Sequence, residues 1–279
     1  MKYILDTVIF LFGTALGSFI AVINNRYNTG LPFLKGRSIC FSCNTELKSR
    51  DLIPIFSFIF LRGKCRYCQS KIPKETFIVE ILMGILTILV AFKVGILGSN
   101  FQFIIFNFQL ISNFLILISI FATILLISIY DLKHFIIPDS FLIYFFIFSF
   151  LYIILNTNSI IHSFISGLVL ALPFLLIFLI SKGTWFGFGD VKYILVLGFF
   201  LGLTQGLSAV ILSFWIGATF ALLALSLKKL IPHINLPLLK NNFTIKSEIP
   251  FGPFLSLGII ISFYFSADLF QIHELFNIF

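Results

Sequence analysis

Long apolar runs, broken by short polar stretches, occupy most of the chain. A run of about 20 residues is what a helix needs to cross hydrocarbon roughly 30 Å thick. The pattern predicts spans at 4–23, 77–94, 110–130, 140–155, 160–180, 191–203, 207–227 and from Phe251 to near Phe270. The expected fold class is therefore an all-α polytopic membrane protein with about eight transmembrane helices. A long polar loop separates the first two runs. Its own apolar stretch, 55–61, is too short to span and is expected to lie on the membrane surface or to pack within the loop. Residues 95–109 and 156–159 read as turns on one side of the membrane, 181–190 and 228–249 as connections on the other. In the first run, Gly13-x-x-x-Gly17-Ser18 is a small-residue packing device. Pro138 is poorly compatible with a continuing helix and Asp139-Ser140 suits an N-cap, so the fourth helix is expected to begin there.

Composition agrees with this reading. The chain is 59% hydrophobic and 11% charged, against about 25% charged in a soluble domain; its mean hydropathy is +1.09. The first run has full spanning length and no small-residue cleavage site after it, so no cleavable signal peptide is expected. Charge adds the orientation. Of 19 Lys and Arg, ten lie between Asn24 and Thr76, with only Glu46, Asp51 and Glu75 against them. Such an excess marks a cytoplasmic loop. Both termini then fall outside, and Lys2 and Lys93 are the basic residues left at the outer side. The lipid bilayer is one partner. Nucleic acid is not expected as another, because the basic residues are scattered around cysteines and form no basic helix or aromatic-interleaved patch.

All four cysteines lie in that loop, as Cys40-Phe-Ser-Cys43 and Cys65-Arg-Tyr-Cys68 with 21 residues between the pairs. Two C-x-x-C knuckles at this spacing suit a tetrahedral zinc-ribbon-like site. Disulfides are disfavoured in a reducing cytoplasm. Four protein ligands leave no open position, so the zinc is expected to be structural. Two domains are expected: 1–76, the first helix with the cysteine loop, and 77–279, a seven-helix membrane domain.

The candidate chemistry lies at two carboxylates. Asp131 closes an inward run, and 59 positions later Asp190 opens an outward one. Two reversals separate them, so both fall at the same membrane face. An ionisable residue at such a position marks a functional site by default. Two aspartates that meet can share one proton and activate water as an acid/base pair. Gly187 and Gly189 remove side chains beside Asp190 and let a peptide backbone approach. An N-cap role for Asp190 is also compatible with the sequence. Glu80, just inside the cytoplasmic end of the second run, either snorkels or serves a site. Two other functions fit the pattern. One is a transporter or channel using intramembrane carboxylates, although no inverted repeat is visible. The other is a zinc-ribbon membrane anchor without enzymatic activity.

Five segments in order resemble the type IV prepilin peptidases, bifunctional leader peptidase/N-methyltransferases among the GxGD aspartic proteases. They are Gly13-x-x-x-Gly17-Ser18-Phe19 with Arg26; the cysteine pairs enclosing Asp51-Leu-Ile-Pro54 and Leu61-Arg-Gly-Lys-Cys65-Arg; Asp131 through Ile137-Pro138-Asp139; Gly187-Phe-Gly189-Asp190-Val-Lys192; and Pro250-Phe-Gly-Pro-Phe254. The resemblance implies that Asp131 and Asp190 are catalytic. Gly187, Gly189, Lys192, Pro138 and Asp139 are expected to support them. It also implies a multi-pass protein of the bacterial cytoplasmic membrane that cuts the short basic leader from prepilins or pseudopilins on the cytoplasmic side. Glu80 is the candidate acid to receive that leader. S-adenosylmethionine is the implied cofactor for methylating the new N-terminus, with 1–76 the implied methyltransferase part and 77–279 the implied aspartic peptidase domain. One position departs from the pattern: the family usually has Asn two residues after Phe19, and here Ala21 stands there. A peptidase that has lost methylation is therefore the alternative.

Overall fold

The computed structural model describes residues 2–30, 32, 37–40, 42–97, 107–156, 159–230 and 249–266. Most of the expected outer turn at 95–109, most of the loop at 228–249 and the expected end of the last span lie outside them. Among the described residues the structure is helical, with β-structure limited to two isolated bridges, Ile39 with Glu46 and Lys64 with Lys71. The chain forms two compact units, Met1–Leu126 and Ile127–Phe279. This division falls well beyond the boundary expected at residue 76, because the second long helix packs on the first.

In the first unit, α1 (Lys2–Arg26) lies along α3 (Lys74–Val94). The small residues explain the fit. A Cβ on Gly17 would come 2.7 Å from the Glu80 Cα, and one on Gly13 would come 2.7 Å from the Thr87 Cβ. The two backbones can approach this closely only because glycine presents no side chain there. Helix α3 follows Pro73 and ends at Gly95, whose φ of 89° closes it in the left-handed conformation. Leu110 and Phe114, at the start of α4 (Phe108–His134), cover a buried cluster of Ile9, Ala91 and Ile96. Between α1 and α3, the cysteine loop holds one 3₁₀ turn (Ser49–Asp51) and the short helix α2 (Phe56–Phe60). Phe58 of α2 stacks on Phe77 at 4.6 Å, so the apolar 55–61 packs against the base of α3.

The second unit contains the last turns of α4, then α5 (Asp139–Asn156), α6 (Ile160–Ser181), α7 (Phe188–Leu230) and α8 (Gly252–Phe265). Helix α7 is a hairpin. At Gly202 the backbone has φ 78° and ψ −178°, which only glycine adopts readily. A Cβ on Gly206 would lie 3.4 Å from the Gly198 Cα, whereas eight residues of straight helix advance about 12 Å. The chain therefore doubles back within α7. The reversal sits at Gly202 rather than in the 204–206 segment that hydropathy predicts. Helix α6 packs on the first arm, residues 188–201, with Gly167 against the Leu195 carbonyl. Helix α5 meets the same arm through Phe145 on Tyr193 and Phe200. Helix α8 lies against both arms: Tyr193 and Ser256 share a hydroxyl hydrogen bond of 2.8 Å, and Ser262 donates to the Gln205 carbonyl at 2.7 Å.

Length and composition give six helices able to cross a membrane among the described residues, with Gly252–Phe265 as a shorter apolar helix. The protein is a polytopic membrane protein. That count takes the two arms of the α7 hairpin together and leaves out α8, which is short, so it does not reach the expected eight.

Candidate active site and metal centre

Asp131 lies in the last turn of α4, which ends at Phe135 in a left-handed conformation with its N–H on the Asp131 carbonyl at 2.8 Å. The Asp131 side chain is buried, and its Oδ2 accepts the Gly252 N–H at 2.9 Å. That N–H belongs to the first turn of α8, where backbone donors have no partner within the helix. Asp131 thus closes the positive end of a helix 121 positions away in sequence. A Cβ on Gly252 would come 2.7 Å from the same oxygen, so the carboxyl occupies the space a side chain would need.

Asp190 lies in the first turn of α7. The helix begins before it, so Asp190 is not its N-cap. Its carboxyl reaches back to the Gly187 N–H. A Cβ on Gly187 would stand 3.0 Å from the Asp190 Oδ2. Gly189 faces Ile137, with 3.3 Å between a built Cβ and the Ile137 Cβ, so the two segments that carry the aspartates pack on each other. Pro138 is buried beside Ile137, and its carbonyl accepts the Phe141 and Leu142 N–H groups in the first turn of α5. The N-cap expected at Asp139 is therefore corrected. Asp139 is the first helical residue, and its carboxylate takes the Lys192 ammonium at 2.6 Å. Lys192 also sits over the Phe188 ring at 4.7 Å. The structure sets Gly187 against Asp190 and Gly189 against the segment that follows Asp131, and it pairs Lys192 with Asp139. It adds Gly252, whose backbone donor carries no side-chain signature; its position before Pro253 at a helix start is the available signal.

In the first unit, the four cysteine sulfurs lie within 4.8 Å of one another, with 3.8 Å between Cys40 and Cys68. Tetrahedral zinc with Zn–S bonds of about 2.3 Å sets sulfurs about 3.8 Å apart, so this donor set fits the ion. The two knuckles share one construction. Asn44 and Gln69 follow the second cysteine of each in the left-handed conformation, and their N–H groups return to the carbonyls of Cys40 and Cys65. The N–H groups of Ser42 and Cys43, aimed at the sulfur, lower the Cys40 thiol to about 6. The Ser70 hydroxyl, 3.1 Å from the Cys68 sulfur, lowers that thiol also. Cys65 receives N–H groups from Cys68 and Tyr67, yet burial and the hydrogen bonds it shares with Cys40 and Cys68 leave it raised. A divalent cation would draw all four to thiolates. Asp51 ties the 3₁₀ turn to the second knuckle: Arg66 Nε donates to it at 2.6 Å, Tyr67 Oη at 3.1 Å and the Lys48 N–H at 3.2 Å. Burial works against its charge, and these donors outweigh it, holding the carboxyl below its usual range. Glu80 is buried in the same unit, and its Oε2 accepts the Ile55 N–H at 2.7 Å.

Residues 11–94 match the bacterial peptidase A24 N-terminal domain, and residues 118–222 match the type IV leader peptidase family. The chain belongs to the type IV leader peptidase family. Among relatives of this family, the prepilin leader peptidase/N-methyltransferase of Bacillus subtilis (strain 168) is 27% identical, over 94% of this chain and 95% of the relative. The protein of the same description from Aeromonas salmonicida (strain A449) is 25% identical over 92% and 90%. That from Vibrio cholerae is 26% identical over 72% and 79%. No solved structure matches the chain. The leader peptidase match begins before Asp131 and ends after Asp190, and the A24 N-terminal match contains all four cysteines and Glu80.

Proposed function

We propose that this leader peptidase family member removes the short basic leader of type IV prepilins or pseudopilins through Asp131 and Asp190, and then methylates the freed N-terminus. The observation that carries the reading is a buried Asp131, held by the Gly252 N–H, whose following segment packs through Ile137 on Gly189, the neighbour of Asp190. Two such carboxyls divide one proton. The ionised member takes a proton from water as the water oxygen attacks the scissile carbonyl carbon, and the neutral member gives its proton to the carbonyl oxygen. The C–N bond then breaks as the pair takes the proton back from the carbonyl oxygen and passes the proton drawn from water to the leaving nitrogen, which restores the shared proton. The Gly252 N–H fixes the direction of the Asp131 carboxyl. Gly187 leaves space for the Asp190 carboxyl, and Gly189 lets the segment after Asp131 pack against the start of α7 through Ile137.

The membrane is the bacterial cytoplasmic membrane, and the site faces the cytoplasm, where the charge of the cysteine loop places that loop. Cys40, Cys43, Cys65 and Cys68 hold a structural zinc, because all four positions of a tetrahedral ion are taken by protein. S-adenosylmethionine, when bound, supplies the methyl group to the freed amine, which gives up a proton, and departs as a neutral thioether.

The test is cleavage of one purified prepilin by the detergent-purified enzyme, read as the mass of the new N-terminus. Asp131→Asn and Asp190→Asn are each expected to lower the rate by about 10³-fold or more, in line with loss of a general acid or base. Normal processing by either variant overturns the assignment.

A further inference from the structure

Tyr193 and Ser256 are buried polar residues that the cleavage chemistry does not use. Tyr193 is fully buried and Ser256 is 3% exposed. Their hydroxyl oxygens lie 2.8 Å apart, across 63 positions of sequence. The Ser256 hydroxyl gives its hydrogen to the Gly252 carbonyl at 2.8 Å, so the Tyr193 hydroxyl is the donor between the two. A buried hydroxyl is costly unless it is bonded. Packing alone does not ask for one at position 193: the ring meets Phe145 edge to face, as a phenylalanine ring would.

This bond sits where it can align the carboxylates. Tyr193 follows Asp190 on the first arm of α7, and Ser256 follows Gly252 on α8, each by about one helical turn. Gly252 in turn gives its N–H to Asp131. One line of hydrogen bonds therefore runs from α7, which carries Asp190, through Ser256 to the residue that holds Asp131. A slide of α8 along α7 would draw the Gly252 N–H, and the Asp131 carboxyl with it, away from Asp190. We infer that Tyr193 and Ser256 are positioning residues that fix the first turn of α8 against α7 and so keep the two carboxyls in register. Both are enclosed, so neither meets substrate. The inference rests on cleavage by Asp131 and Asp190 and adds what holds that pair in place.

The test compares these hydroxyls with that of Ser262, in the full-length protein in detergent. Prepilin cleavage is followed over a range of substrate concentrations, well below the thermal midpoint of every variant. Ser262 is the structural control: it also joins α8 to α7, through the Gln205 carbonyl at 2.7 Å, but near the other end of α8. Tyr193→Phe and Ser256→Ala are each expected to lower kcat about tenfold with KM unchanged, less than the roughly 10²-fold that follows a shift of about 1 Å. The double variant is expected to match the worse single one, because the two hydroxyls act as one unit. Ser262→Ala is expected to lower the thermal midpoint and keep kcat. Full kcat in both Tyr193→Phe and Ser256→Ala, or an equal loss in Ser262→Ala, overturns the assignment while leaving cleavage standing. Single losses that multiply in the double variant, or a loss confined to KM, overturn it as well. A wild-type chain that leaves prepilin uncut removes the peptidase reading and the positioning role together.

Discussion

Single atoms decide the carboxylate site. Gly252 has two duties at Asp131: its N–H holds one oxygen, and its missing side chain makes room for that oxygen. Gly252→Ala keeps the donor and removes the room, so the carboxyl must move. A displacement on the order of 1 Å at a reacting group lowers rates about 10²-fold; the expected result is that loss in prepilin cleavage, measured on a variant that still inserts. Lys192 offers the contrast. Its bond to Asp139 is short, but Asp139 is 67% exposed at the side chain, and exposed pairs contribute little, about 0–1 kcal/mol. Lys192→Ala is therefore expected to change the cleavage rate only a few-fold. Asp131, Asp190 and the cysteines were legible in the sequence because ionisable or metal-binding side chains interrupt an apolar or basic context. The Gly252 donor was not, since every residue but proline carries one and its acceptor lies far away along the chain.

Helices show a similar division between what hydropathy reveals and what it hides. The long spans follow their apolar runs to within a few residues, because lipid requires every backbone group to be paired within the helix. The reversal in α7 was misplaced because no polar residue marks it: Gly202 sits between Leu201 and Leu203. Gly202→Ala places a side chain in a backbone region nearly closed to it, at about 1–3 kcal/mol. The expected outcome is a lower thermal midpoint. An unchanged midpoint would show that the hairpin turns elsewhere. The knuckles make a different element, one held by metal rather than by apolar packing. Structural zinc contributes about 10–16 kcal/mol in small zinc-finger peptides. Stripping it with a strong chelator is expected to open 38–72 to limited proteolysis, with cuts mapped by mass, while 139–227 stays protected.

Across the whole molecule, charge carries the orientation and packing carries the division into units. The sequence boundary at residue 76 followed the end of the polar loop, but polarity does not report which helices share an interface. Gly13 and Gly17 do report it, in a form that names no partner; the structure supplies α3. For the proposed orientation, an epitope inserted after Gly30 is expected to be hidden from antibody in cells with a permeabilised outer layer and an intact cytoplasmic membrane. One inserted after Ser159 is expected to be exposed. The reverse pattern would invert the membrane placement of the whole chain.

The clasp between Asp131 and the start of α8 bears on how an inactive form should be made for capturing uncut prepilin. Asparagine still offers an oxygen to the Gly252 amide, whereas alanine offers none and strands a buried donor, a loss of about 1–3 kcal/mol. A substrate trap built on Asp131→Asn keeps α8 seated beside the carboxylates; Asp131→Ala yields a looser protein whose failure to hold substrate says little about chemistry.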